Sequence, residues 1–120
     1  YKLDRLSIGV PYEDKSNIGR YADRDLKCGG NVWRIPYDTI QYSWQKKHKD
    51  RFPLGLPEKC IRLSGIPKDS LILDPFIGGG STAIKAKQLG MNFVGFELDQ
   101  EDVDNAYRWL VEEKCDDIKW

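Results

Sequence analysis

The stretch from Ser70 to Gly80 leaves this chain few folds to choose from. Ser70-Leu71-Ile72-Leu73 is a short apolar run, the pattern of a strand covered on both faces. It runs directly into Asp74-Pro75-Phe76-Ile77-Gly78-Gly79-Gly80. Glycines in such a turn permit positive φ and let another group approach the backbone closely. A helix is expected from near Ser81 to Leu89, with Gly90 at its C-terminal cap. Asn92-Phe93-Val94-Gly95-Phe96 reads as the next strand and ends on Glu97. Asp99 then caps a second helix, with Glu101 and Asp102 in its first turn, where the helix dipole favours acids. Val103, Ala106, Tyr107, Leu110 and Val111 have the spacing of one buried stripe and are expected in the core. Strand–helix–strand–helix implies an α/β fold with parallel strands and right-handed crossovers.

The first half is less periodic. Residues 1–30 are polar and punctuated by Gly9, Pro11, Gly19, Gly29 and Gly30, so loop or peripheral structure is expected. Asn31-Val32-Trp33-Arg34-Ile35 reads as a short strand stopped by Pro36. Pro57 is expected to open a short helix through about Leu63, with Gly65 at its exit.

Composition excludes several classes. With 32% charged and 12% aromatic residues among 120, wholesale disorder is not expected. No run approaches the roughly 18–20 apolar residues of a membrane span. Cys28, Cys60 and Cys115 are scattered, which suits free thiols in a reducing cytosol better than disulfides or zinc. His48 is the only histidine, so metal binding or a histidine relay has little to draw on. Formal charge is zero overall. Residues 1–60 carry 12 Lys/Arg against 8 Asp/Glu, and residues 61–120 carry 7 against 11. The first half could therefore face an anionic partner.

Gly78-x-Gly80-x-x-Ala83 between a strand and a helix is a nucleotide-type loop only because of that context. Glu97 follows Gly78 by 19 residues, where such sheets place an acid against ribose hydroxyls. A triphosphate fits poorly, because Gly80 is followed by Ser81-Thr82 and Lys85 comes a turn too late. A dinucleotide suits the glycines, yet the Asp74 carboxylate would repel a pyrophosphate. That carboxylate suits a ligand with positive charge, such as the amino group of a methionine moiety. S-adenosylmethionine satisfies both ends.

At these residues the chain resembles the amino DNA methyltransferases, which methylate adenine N6 or cytosine N4. Asp74-Pro75-Phe76-Ile77-Gly78-Gly79-Gly80-Ser81-Thr82 is similar to their Asp-Pro-Phe-x-Gly-x-Gly-Thr motif. His48-Lys49-Asp50-Arg51-Phe52-Pro53 resembles their His-Pro-Ala-x-Phe-Pro element, with Lys49-Asp50 in place of Pro-Ala. Leu56-Pro57-Glu58, Ile61-Arg62-Leu63-Ser64-Gly65, Asn31-Val32-Trp33-x-Ile35-Pro36 and Val94-Gly95-Phe96-Glu97 also match in register. The resemblance covers about residues 31–110, in the motif order of the β group. It implies a Rossmann-like S-adenosylmethionine-dependent methyltransferase fold, present in part. Asp74, Phe76, Gly78, Gly80, Ser81, Thr82 and Glu97 would line the cofactor site, with His48 and Phe52 beside them. Residues 41–120 would form the cofactor-binding part, and residues 1–40 the tail of a target-recognition or peripheral region.

The family's Asp/Ser/Asn-Pro-Pro-aromatic motif is missing, since the sequence contains no Pro-Pro. That motif accepts hydrogen bonds from the target amine and stacks on the flipped base. No catalytic residue is therefore assigned in this chain. The absence and the Tyr1 start suggest part of a longer enzyme, completed by a missing N-terminal half or a second polypeptide. An exposed apolar edge is expected unless such a partner covers it. Double-stranded DNA is the implied partner, a dimer is left open, and the setting would be prokaryotic or phage cytoplasm. Lys46, Lys47, Lys49 and Arg51 are candidate DNA-phosphate contacts, and Arg20, Arg24 and Lys27 are weaker ones. Trp33, Tyr42 and Trp44 are either base-stacking or core residues. Two other readings stand beside this one. The chain could be a non-catalytic methyltransferase remnant binding cofactor or a protein, or a dinucleotide-dependent oxidoreductase.

Overall fold

A computed structural model describes residues 2–20, 22–39, 43 and 51–113. The chain forms two compact units, one of Tyr1–Arg34 with Lys59–Ile66, the other of Ile35–Glu58 with Pro67–Trp120. Three helices and two strands are described, in the order α1 (Gly55–Ser64), β1 (Leu71–Asp74), α2 (Ser81–Gln88), β2 (Asn92–Gly95) and α3 (Gln100–Glu112).

The first unit is built largely from turns, as its glycines and prolines suggest. A single 3-10 turn at Lys15–Asn17 is capped by the Asp14 side chain, which accepts from Ser16 N–H. Val10 and Lys27 form an isolated antiparallel bridge. Asp25 accepts from Tyr12 N–H at 2.9 Å and pairs with the Lys15 ammonium. Asp4 N–H donates to Leu63 O at 2.9 Å, which ties the N-terminal segment to α1. The strand expected at Asn31–Ile35 does not form. Gly30 sits at φ 80° just before it, and no strand of the described residues lies alongside to take its hydrogen bonds.

The second unit follows the α/β pattern closely. Strands β1 and β2 pair in parallel, with Leu71 opposite Asn92 and Asp74 opposite Gly95. Helix α2 begins at Ser81 as expected and ends at Gln88, one residue early, with Leu89 as its cap and Gly90 beyond it at φ 73°. Asp99 caps α3, and its side chain accepts from Glu101 N–H at 2.8 Å. Helix α1 begins at Gly55, so Pro57 lies inside its first turn, where its missing N–H costs nothing. The core is Ala83, Ile84, Trp109 and Leu110, with Leu54, Ile77 and Phe93 packed against it.

Two expectations about burial are corrected. The strands are covered on one face only. Leu71 and Leu73 are each 64% exposed and Phe96 is 60% exposed, while Ile72 and Phe93 face inward. Among the described residues, α2 and α3 pack beside Phe93 and no element covers the opposite face of the two strands. The expected apolar edge is thus a whole apolar face. The α3 stripe is also displaced. Ala106 and Leu110 are buried as expected, but Tyr107 and Val111 are about half exposed, and Trp109 takes the inward position. Trp109 and Leu110 lie on the side of α3 that meets Ala83 and Ile84 of α2, with Leu54 and Phe93 packed against them, and the large indole fills much of that contact.

Candidate functional site

The site lies at the C-terminal ends of β1 and β2, where open parallel sheets form their ligand crevices. Asp74 ends β1, and its carboxylate accepts from Phe76 N–H at 3.0 Å, turning the chain out of the strand. Ile77 N–H then donates to Phe96 O at 3.0 Å, which fastens the turn to the end of β2. Gly95 makes room for this contact. A Cβ there would lie 2.2 Å from Ile77 Cδ1. Gly80 N–H closes the loop on Ile77 O at 3.0 Å.

Each glycine of the loop has its own reason. Gly80 adopts φ 93°, and a Cβ would meet Ala106 Cβ at 2.8 Å, so it serves both conformation and close packing of α2 on α3. Gly78 and Gly79 have no neighbour within 4 Å of a built Cβ. They border open space, which is the space a ligand needs. Phe76, 85% exposed, and Leu98, fully exposed, stand beside this loop and beside Glu97. Leu98 was not singled out in the sequence. Its exposure next to the acidic residue is the signal, and exposure is invisible before folding.

Glu97 is anchored from both oxygens. Oε2 accepts from Gly78 N–H at 3.0 Å, and Oε1 accepts from Leu98 N–H at 2.7 Å and Asp99 N–H at 3.0 Å. The amides of Asp99 and Leu98, and to a smaller degree that of Gly78, hold this carboxyl below the usual glutamate value despite some burial. It is therefore an ionised acceptor whose position is preset relative to the glycine loop.

Ser81 and Thr82 are buried at the start of α2. The Ser81 hydroxyl donates to Phe52 O at 3.1 Å. It thus reaches the upstream Phe-Pro element rather than open space, and brings Phe52 to the loop. Arg51 stacks over Trp109, 4.5 Å from the ring centre. Burial there lowers its pKa from the ordinary arginine value, opposed by nearby Asp38. Lys46, Lys47, His48 and Lys49, with Tyr42 and Trp44, lie outside the described residues. Trp33 is half-buried, with the Lys59 ammonium 5.9 Å from its ring. Arg20 and Arg24 are exposed, and Lys27 is half-buried with its backbone paired to Val10. Among the described residues no cluster of three or more His, Cys, Asp or Glu is placed to hold a metal, and no helix is long and apolar enough to cross a membrane.

A family model of N6/N4 type, described as DNA methylase, matches residues 1–108. The chain belongs to this DNA methylase family. The Type II methyltransferase M1.MboII of Moraxella bovis is 33% identical over 118 residues, covering 82% of this chain and 45% of that protein. The solved structure of the M1.HpyAVI-SAM complex is 31% identical, with a TM-score of 0.51, covering 70% of this chain and 41% of that one. The PvuII DNA methyltransferase, whose structure is described as cytosine-N4-specific, matches 97% of this chain and 40% of its own at 24% identity, with a TM-score of 0.65. That last likeness establishes the fold as the Rossmann-like methyltransferase fold, present in part. The chain spans less than half the length of these methylases, consistent with two strands and one open sheet face.

Proposed function

We propose that this chain supplies the S-adenosylmethionine-binding part of a site-specific DNA methyltransferase that modifies adenine N6 or cytosine N4. The observation that carries it is Glu97 held 3.0 Å from the Gly78 amide, with open space over Gly78 and Gly79 at the strand ends. The residues present fit the donor. An ionised Glu97 accepts from ribose hydroxyls, and Asp74 offers negative charge towards the methionine amino group. Phe76 and Leu98 offer apolar cover. When bound, the group supplies an electrophilic methyl on a sulfonium centre. Phe52, fixed by Ser81, borders that donor, and the resemblance of the His48-to-Pro53 element assigns His48 to the same site. The Arg51 and lysine contacts with DNA phosphates belong to the same reading, as do Arg20 and Arg24.

The acceptor half, with the base-holding motif, is contributed by a further segment or a second polypeptide. Support comes from Leu71, Leu73, Val94 and Phe96, four large apolar side chains exposed together on one face of the sheet, the kind of patch that marks an interaction surface. The protein then acts on double-stranded DNA in the cytoplasm of a prokaryote or its phage. Isothermal calorimetry of the intact gene product with S-adenosylmethionine tests the donor site. Binding that is weakened at least tenfold by Glu97→Ala is expected, and no binding, or no effect of that change, overturns the reading. Labelled methyl transfer to double-stranded DNA tests the activity. A well-dispersed monomer of this chain alone would contradict the need for a covering part.

A further inference from the structure

Four separate contacts hold the short segment Arg51–Leu54. The Phe52 carbonyl accepts from the Ser81 hydroxyl at the start of α2. The Leu54 side chain packs on the Ala83, Ile84, Trp109 and Leu110 core. The Arg51 guanidinium lies over the Trp109 ring. The fourth contact comes from Asp38, 16 residues upstream, whose Oδ2 accepts from Leu54 N–H. Asp38 lies in no helix or strand and is itself exposed. Its charge also acts on Arg51. One carboxylate therefore bonds the Leu54 end of the segment and acts electrostatically on the Arg51 end.

The Phe52 ring between those ends stays 37% exposed. Its carbonyl is fastened to the residue that follows Gly80, which brings position 52 beside the end of the glycine loop. Two of the contacts that fix the segment, Ser81 and the core, are buried in regular structure. Asp38 is the only one of the four that arrives from irregular backbone. We infer that Asp38 is a positioning residue for the methyl-donor site, acting through Phe52. It touches no donor atom. It holds the Leu54 amide so that the residue two places earlier keeps its place beside the loop. This rests on the donor-site reading above. No feature of the sequence marks Asp38, because its partner lies at a distance that only folding closes.

A double-mutant cycle on S-adenosylmethionine affinity tests this, using the intact gene product. Asp38→Ala should weaken binding about tenfold, the scale of a small misplacement in a preset site. Its melting temperature should move by no more than about 2 °C, since the residue is exposed. Phe52→Ala should weaken binding too. Asp38→Ala placed on Phe52→Ala should then add less than about twofold, because the first change acts through the second. Asp38→Asn keeps an oxygen acceptor for Leu54 N–H and should bind within about threefold of the parent. Full additivity of the two alanine changes would overturn the proposal. So would parental affinity in Asp38→Ala or in Phe52→Ala, or an Asp38→Asn variant as weak as Asp38→Ala. Glu97→Ala separates the two levels. If it binds as the parent does, the donor-site reading itself fails. If it is impaired while Asp38→Ala is not, only the positioning role fails.

Discussion

Glu97 Oε2 accepts the backbone N–H of Gly78 at 3.0 Å. The two residues come from different strand–helix connections, so this bond joins the loop after β1 to the turn after β2. Parallel pairing in register brings those ends level, with Asp74 opposite Gly95. The same carboxylate holds the two amides that lead into α3. The proposed donor site is therefore shaped before a ligand arrives, which limits the ordering cost of binding.

The glycines of the loop should separate by role. Gly80→Ala forces a left-handed conformation on a residue with a Cβ and drives that Cβ into Ala106. A loss of about 3 kcal/mol is expected from the two effects together. Adding Ala106→Gly should return the steric share and leave the conformational one. Gly79→Ala has no such strain or neighbour, so stability should change by less than about 0.5 kcal/mol. Its donor affinity should fall, because the new methyl enters the open space. Urea unfolding and calorimetry on the same variants check both halves. A Gly79→Ala variant as unstable as Gly80→Ala would contradict the assignment.

Acid should weaken the protein partly through Glu97. Its folded pKa lies below the ordinary value of 4.5. The ionised form is thus favoured by folding, and the stabilisation is fully present above the unfolded value. It is lost as pH falls through the lower, folded value. Asp14 and Asp25 are shifted the same way, so the acid limb is shared. Glu97→Gln should flatten only part of the slope of stability against pH below about 5. Denaturant midpoints from pH 7 to 3 measure this. An unchanged acid limb in Glu97→Gln would show that the three amide contacts do not persist in solution.

Arg51 has two possible duties that salt can separate. Stacked on Trp109, it should contribute about 1 kcal/mol to stability, and Arg51→Ala should lower the denaturant midpoint accordingly. If it also meets a DNA phosphate, the same change should reduce the slope of log affinity against log salt by about 1. A lower midpoint with an unchanged salt slope would assign Arg51 to packing alone.

The motif residues were legible because chemistry writes them locally. A turn that must bend from strand to helix around a ligand demands glycine, and a helix that starts after it demands a cap. Those demands lie within a few residues of each other, so Gly78, Gly80, Asp99, β1, α2, β2 and α3 could be read from order and spacing alone. Three features were decided elsewhere. Asp38 meets Leu54 only because the chain returns to it after 16 residues. Trp109, not Tyr107 or Val111, faces inward because the surfaces available to α3, namely Ala83 and Ile84 of α2 with Leu54 and Phe93 beside them, lie on its side. Leu71 and Leu73 stayed exposed because an apolar strand records a need for cover without saying whether the cover is present. Local sequence specifies conformation through short-range sterics and hydrogen bonds. Burial depends on which surfaces exist to meet, and that is a property of the folded chain.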